Sequence, residues 1–165
     1  MPGTGKSTVG VLLAKSLLMD FCDTDLIIQK KFSSPLCDII AEAGTEGFIR
    51  AEENILSDLS FSNTVVATGG SAVYGEKAMK NLKSNGIAVY LDTPLSELEK
   101  RLLNIHTRGV AMKEGTTLSD LFEEREPLYR KYADITVNCS ALSPEECVEK
   151  IVEKLEKQPS TTSRL

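Results

Sequence analysis

At 165 residues and 18.0 kDa, with 41% hydrophobic residues, the chain is long enough to bury one core and too short for several domains. A net charge of −5 and a pI near 5.0, with no basic stripe, exclude a nucleic-acid-binding or acidic-membrane surface, so the expected partner is a small molecule and the expected state a monomer. No apolar run approaches the ~20 residues of a membrane span. Cys22, Cys37, Cys139 and Cys147 show no Cys-x-x-Cys spacing and follow no secretory leader, which predicts a cytoplasmic protein with reduced, buried thiols.

The first element is Met1-Pro2-Gly3-Thr4-Gly5-Lys6-Ser7-Thr8. It supplies the phosphate-loop pattern Gly-x-x-x-x-Gly-Lys-Ser/Thr from the second position onward. Gly3 and Gly5 let the backbone curl so that successive N–H groups, those of Thr4 and Thr8 among them, point at one anion. Lys6 adds a point charge at the outer phosphates, and the Ser7 hydroxyl can ligate Mg²⁺. Val9, Leu12, Leu13 and Leu17 have helical spacing, so the phosphates would rest on a helix N-terminus. The pattern's leading Gly and the strand that runs into it would lie before Met1. The expectation is a mis-called start or a fragment, lacking a central strand.

A short apolar strand, Met19 to Cys22, then ends in Asp23-Thr24-Asp25. Helices are predicted from Pro35 to Ala43, stopped by Gly44, and from Thr45 to Leu59, with Phe48, Ile55, Leu56 and Leu59 on one side. Val65-Val66-Ala67 is a strand running into Thr68-Gly69-Gly70-Ser71, and Tyr74 to Asn85 is a helix ended by Gly86. Ile87 to Leu91 reads as a strand covered on both faces, and Thr93 as the cap of a helix with Pro94 in its first turn. Ile105 to Gly115 is aperiodic, Thr117 to Tyr132 helical, and Ile135 to Val137 the last strand. Ser143-Pro144-Glu145-Glu146 opens a final helix as a capping box. Alternating strand and helix predict one α/β domain over 1–158 with a parallel sheet, followed by a polar tail, 159–165. The tail's Ser163-Arg164-Leu165 is similar to a peroxisomal address and reads as accidental.

Ligands of such sheets bind beyond the carboxyl ends of the strands. Asp23 and Asp25, two apart, would share one side of extended chain. One carboxylate near Mg²⁺ and one near an acceptor hydroxyl suit phosphoryl transfer to an alcohol, although Asp also favours helix caps. Gly69-Gly70 permits close backbone approach to a ligand, or a simple turn. Arg108, in the aperiodic loop, is either a lid cation or a solvated charge. Arg125 lies on the apolar side of its helix, one turn after Leu121 and Phe122, with Pro127 beside it as an expected kink. A guanidinium there calls for an anion, either a substrate carboxylate or a structural Glu.

The pattern resembles the shikimate kinases, small P-loop kinases, from Met1 to about the last strand. The residues that carry the resemblance are Gly5-Lys6-Ser7-Thr8, Phe21 to Asp25, Gly44 to Glu52, Ala67 to Gly70 and Val89 to Asp92, with Arg101, Arg108, Arg125 to Tyr129 and Ala133-Asp134. The resemblance implies a P-loop three-layer sandwich with strand order 2-3-1-4-5, here without its first strand. It implies transfer of the ATP γ-phosphoryl to a ring hydroxyl of shikimate, with Mg²⁺. By position, Lys6 and Ser7 would bind phosphate and metal, Asp23 support the metal, and Asp25 hold and activate the acceptor hydroxyl. Gly69 and Gly70 would offer backbone to the substrate, Arg101 flank the adenine, Arg108 close the lid, and Arg125 hold the substrate carboxylate. The family's second carboxylate-binding arginine falls on Ile49, and the third glycine of its Gly-Gly-Gly on Ser71. Arg50 is about 100° around the helix and is expected to pair with Glu46 or Glu53 instead. These departures leave open a kinase for another small hydroxy acid, or a nucleotide-binding module without turnover.

Overall fold

The computed structural model of the chain describes residues 1–102, 109–113 and 115–157. Gly5, at φ 84°, ends the opening loop in a conformation open to glycine, and α1 (Lys6–Leu17) follows at once. β1 (Asp20–Asp23) pairs in parallel with β2 (Thr64–Ala67), Asp20 opposite Thr64 and Asp23 opposite Ala67. β3 (Val89–Asp92) pairs in parallel with β4 (Ile135–Asn138), Val89 opposite Ile135. β2 and β3 are not hydrogen-bonded to each other, so the described strands form two separate ribbons. These two pairs correspond to the neighbours 2-3 and 4-5 of the expected order 2-3-1-4-5.

Helices supply what the ladders do not. Val9 and Leu13 of α1 share one buried cluster with Leu91 of β3, Ile135 and Val137 of β4, and Ile151 and Leu155 of α7 (Pro144–Glu156); Val65 of β2 packs against it. Each fully buried aliphatic chain in that cluster contributes about 1.5–3 kcal/mol relative to exposure, so α1 and α7 fasten both ribbons to one layer. The approach of α1 to β1 is close at Gly10, where a Cβ would come within 2.8 Å of the Phe21 ring.

α2 (Thr24–Phe32) starts directly from β1. α3 (Leu36–Ser57) is the two predicted helices joined at Gly44, whose φ of 70° and ψ of 165° break the helical path. The predicted helix from Tyr74 becomes a 3₁₀ turn, Ala72–Tyr74, then α4 (Glu76–Ser84), because Gly75 between them is extended. Thr93 does not cap α5 (Leu95–Arg101): Pro94 holds the cap position, and the Thr93 hydroxyl is buried without a hydrogen-bond partner. α6 (Leu118–Tyr132) opens on a capping box of Thr117 and Asp120 and runs through Pro127; Ser143 and Glu146 form the predicted box of α7. All four cysteines are free; Cys139 and Cys147 are buried, but Cys37 is exposed, against expectation. Among the described residues no helix is long and apolar enough to cross a membrane.

Gly44 gives a direct test of the bend in α3. A Cβ there would meet nothing within 4 Å, so Gly44→Ala acts through the backbone alone, in a φ/ψ region reserved for glycine. The expected loss of about 1–3 kcal/mol is measurable by urea denaturation; an unchanged midpoint would show that α3 straightens without penalty.

Candidate active site

The opening loop closes on itself. The Thr4 hydroxyl and the Lys6 Nζ both donate to the Met1 carbonyl, at 3.0 and 2.8 Å. At Gly3, φ 77°, a Cβ would lie 2.8 Å from the Leu102 side chain, so the loop has no room for a larger residue. Ser7 Oγ donates to Asp23 Oδ2 at 2.6 Å, and Asp23 Oδ1 accepts the Asp25 backbone N–H at 3.0 Å. Asp23 thus caps α2 and reaches Ser7 with its other oxygen. The sequence expectation that Asp23 and Asp25 share one side of extended chain is corrected, because the chain turns helical at Thr24. The turn still brings Asp25 into the field of Lys6. Burial pushes the Lys6 amine below its ordinary value, and Asp25 is the strongest of the groups pulling it back. Burial and then Asp23 push the Asp25 carboxyl up, with Lys6 opposing them.

The glycines after β2 line the same space. A Cβ at Gly69 would stand 2.5 Å from Glu52 Oε1 and 2.8 Å from Asp25 Oδ1; at Gly70, 3.1 Å from Arg125 Nη1 and 3.4 Å from the Tyr129 hydroxyl. Gly69 N–H donates to the buried Thr24 hydroxyl at 3.3 Å, and the Gly70 carbonyl accepts from Tyr129 at 2.6 Å. Asp25, Glu52 and Arg125 therefore converge on two residues of bare backbone.

Arg125 is 1% exposed. Its Nε donates to the Tyr74 hydroxyl at 3.1 Å, its Nη2 donates to the Ala111 carbonyl, and the guanidinium lies over the Tyr74 ring. Among the described residues no carboxylate forms an ion pair with it, so the structural-Glu alternative is not realised. Arg101 is part-exposed and pairs with Glu97 at 3.0 Å; Arg108 lies outside the described residues. Arg50 pairs with Glu46 at 3.9 Å on the surface, while Glu53 accepts the Lys77 N–H.

Glu52 is the site residue that the sequence reading missed. It is 1% exposed, and among the described residues neither carboxylate oxygen accepts a hydrogen bond of normal geometry. Burial raises its pKa to about 7, with Asp25 adding to the rise while the Ser71 hydroxyl, Arg125 and Lys6 oppose it. The available signal was its spacing: Phe48 four before, and Ile55 and Leu56 three and four after, put it on the buried face of α3.

Oxygen donors at Ser7 and Asp23 suit Mg²⁺, which takes one or two protein ligands and completes its shell with phosphates and water. Among the described residues no cluster of three or more His, Cys, Asp or Glu forms a dedicated metal cage.

The family model for shikimate kinase matches residues 2–156. The chain belongs to the shikimate kinase family. It is 36% identical to the shikimate kinase of Tolumonas auensis over 157 residues, covering 93% of this chain and 91% of that protein. The shikimate kinase from Acinetobacter baumannii in complex with shikimate superposes with a TM-score of 0.87 at 32% identity, over 96% of this chain and 90% of that one. The chain is also 34% identical over 165 residues to threonine synthase-like 1 of Homo sapiens, matching 98% of itself but 22% of that longer protein. The P-loop fold expected from the sequence is thus the fold observed.

For this family member the buried Glu52 has a thermodynamic cost with a definite sign. Its pKa rises from 4.5 to about 7 on folding, so its stability contribution is fully present below pH 4.5 and lost as pH climbs through 7. That shift corresponds to about 3 kcal/mol. Glu52→Gln, which cannot ionise, is expected to gain about that much on wild type between pH 5 and pH 8 in urea titrations. A difference that does not change with pH would mean that Glu52 is ionised throughout.

Proposed function

We propose that the chain is an ATP-dependent kinase that transfers the γ-phosphoryl group to a hydroxyl of shikimate. The observation that carries this reading is that Asp25 and Arg125 converge on the bare backbone of Gly69 and Gly70, with Asp25 also the strongest attraction acting on the buried Lys6 amine. An alcohol-orienting carboxylate is then held beside bare backbone, within the field of a phosphate-binding amine.

In this reading the N–H groups from Gly3 to Thr8 and the N-terminus of α1 take the β- and γ-phosphates. Lys6 exchanges the Met1 carbonyl for a phosphate oxygen. Ser7 and Asp23 would hold Mg²⁺, which when bound would neutralise phosphate charge. Asp25 orients the acceptor hydroxyl and accepts its proton as the oxygen attacks the γ-phosphorus, while the bond from that phosphorus to the β–γ bridging oxygen breaks and ADP leaves. Arg125, fixed by Tyr74 and the Ala111 carbonyl, offers Nη1 beside Gly70 to the acceptor carboxylate. Arg101 beside the adenine and Arg108 as a lid cation complete the assignment by family resemblance.

A second reading, a kinase-like domain that binds nucleotide without turning over an acceptor, draws on Ile49 in the carboxylate cradle and on the match to part of threonine synthase-like 1. Steady-state ADP release with and without shikimate separates the two. Shikimate-dependent release is expected. Asp25→Asn is expected to lower kcat by about 10²–10⁴-fold, and Arg125→Ala to raise the shikimate KM by about 10- to 150-fold. ATP binding without acceptor-dependent release would favour the second reading, and an Asp25→Asn variant with full kcat would remove Asp25 from the chemistry.

A further inference from the structure

Glu52 sits in the crevice without a task in the transfer itself. Its Oε1 and Asp25 Oδ1 lie 2.5 and 2.8 Å from the same point above Gly69, where a Cβ would stand. It is sealed from solvent, and among the described residues neither of its oxygens accepts a hydrogen bond of normal geometry, although the Ser71 hydroxyl is near enough to act on it. An isolated carboxylate in that position, pressed against a second one, is costly unless a cation or a proton neutralises it.

Among the described residues no cation forms an ion pair with it. Lys6 and Arg125 both act on it, but Lys6 donates to the Met1 carbonyl, and Arg125 spends Nε and Nη2 on Tyr74 and Ala111. One turn earlier on the same face of α3, Ile49 brings no charge. From α2 it meets Asp25, from the loop after β2 the Ser71 hydroxyl, and from α6 the Tyr129 phenol alongside Arg125. The α4 contact reaches α3 at the neighbouring Glu53, through the Lys77 N–H. The proton is therefore the remaining neutraliser.

We infer that Glu52 enters the ternary complex as a neutral acid and donates its O–H to an oxygen of the acceptor, beside the hydroxyl that Asp25 holds. A neutral donor at that point prefers acceptor oxygens with free lone pairs and disfavours an amine or amide N–H. Once ionised, the same side chain repels those lone pairs and the acceptor's own negative charge. The acceptor site is thus selective in a way that fades as pH rises. This inference rests on the acceptor reading above, and its test separates the two.

Infrared difference spectra of wild type against Glu52→Gln read the acid directly. A protonated-carboxyl band is expected in wild type at about pH 6, absent from the variant and lost by about pH 8.5. Calorimetric titration of shikimate onto the ADP-saturated chain reads its role. Wild type is expected to weaken about tenfold over that pH range, and Glu52→Gln by less than about twofold. The inference is overturned if no carboxyl band depends on Glu52, or if both proteins weaken equally. A chain that shows the band but binds no shikimate at either pH fails the functional reading, and with it the acceptor role, while upholding the neutral state of Glu52. The wild-type spectrum and titration stand on their own should the variant fold poorly.

Discussion

Two cations, Lys6 and Arg125, and two acids, Asp25 and Glu52, act on one another in the interior, and for Lys6, Asp25 and Glu52 removal from water outweighs every neighbour in moving the pKa. No two of the four come from the same element: Lys6 from the start of α1, Asp25 from the first turn of α2, Glu52 from the middle of α3, Arg125 from α6. What allows them to meet is the lack of side chains at Gly69 and Gly70. An alanine at 69 would overlap both carboxylates, which places the glycines' function in space rather than in flexibility.

The phosphate side and the acceptor side differ in how they are built. On the phosphate side, polar groups are tied to one another: Thr4 and Lys6 to Met1, Ser7 to Asp23, Asp23 to Asp25. Each of these bonds can be exchanged for a phosphate or metal contact of similar strength, so the loop is shaped before its ligand arrives. On the acceptor side, Arg125 keeps one nitrogen facing Gly70, and among the described residues Glu52 accepts no hydrogen bond of normal geometry. Uncommitted polar atoms in a sealed place are costly to keep, and a ligand that satisfies them recovers that cost on binding.

Much of the fold and most of the candidate site were legible in the residues because the informative signals are local. Gly5-Lys6-Ser7 names its own loop, and the Leu121 and Phe122 spacing put Arg125 on an apolar face before any coordinates were needed. Glu52 was hidden because it stands among the surface acids Glu46 and Glu53, and composition outweighed periodicity in reading that helix. The same spacing argument that found Arg125 applies to it through Phe48 and Ile55. Thr93 was misread because Thr before Pro looks like a cap; which residue turns the chain depends on ψ, which a propensity cannot fix. The extended reading of Asp23 and Asp25 failed for a related reason: a cap is both the end of a strand and the start of a helix.

The packing of α1 against both strand pairs bears on what holds the two sides of the site in register. Here α1's apolar flank bridges the ribbons, together with Tyr129, which stacks on Tyr90 of β3 at 5.3 Å while its hydroxyl holds the carbonyl of Gly70. Dispersion contacts are many and shallow, and they resist sliding less than a ladder does. Residues such as Val9 and Leu13 are therefore calipers as well as ballast. Shortening either would leave a cavity at the seat that α1 gives to both strand pairs.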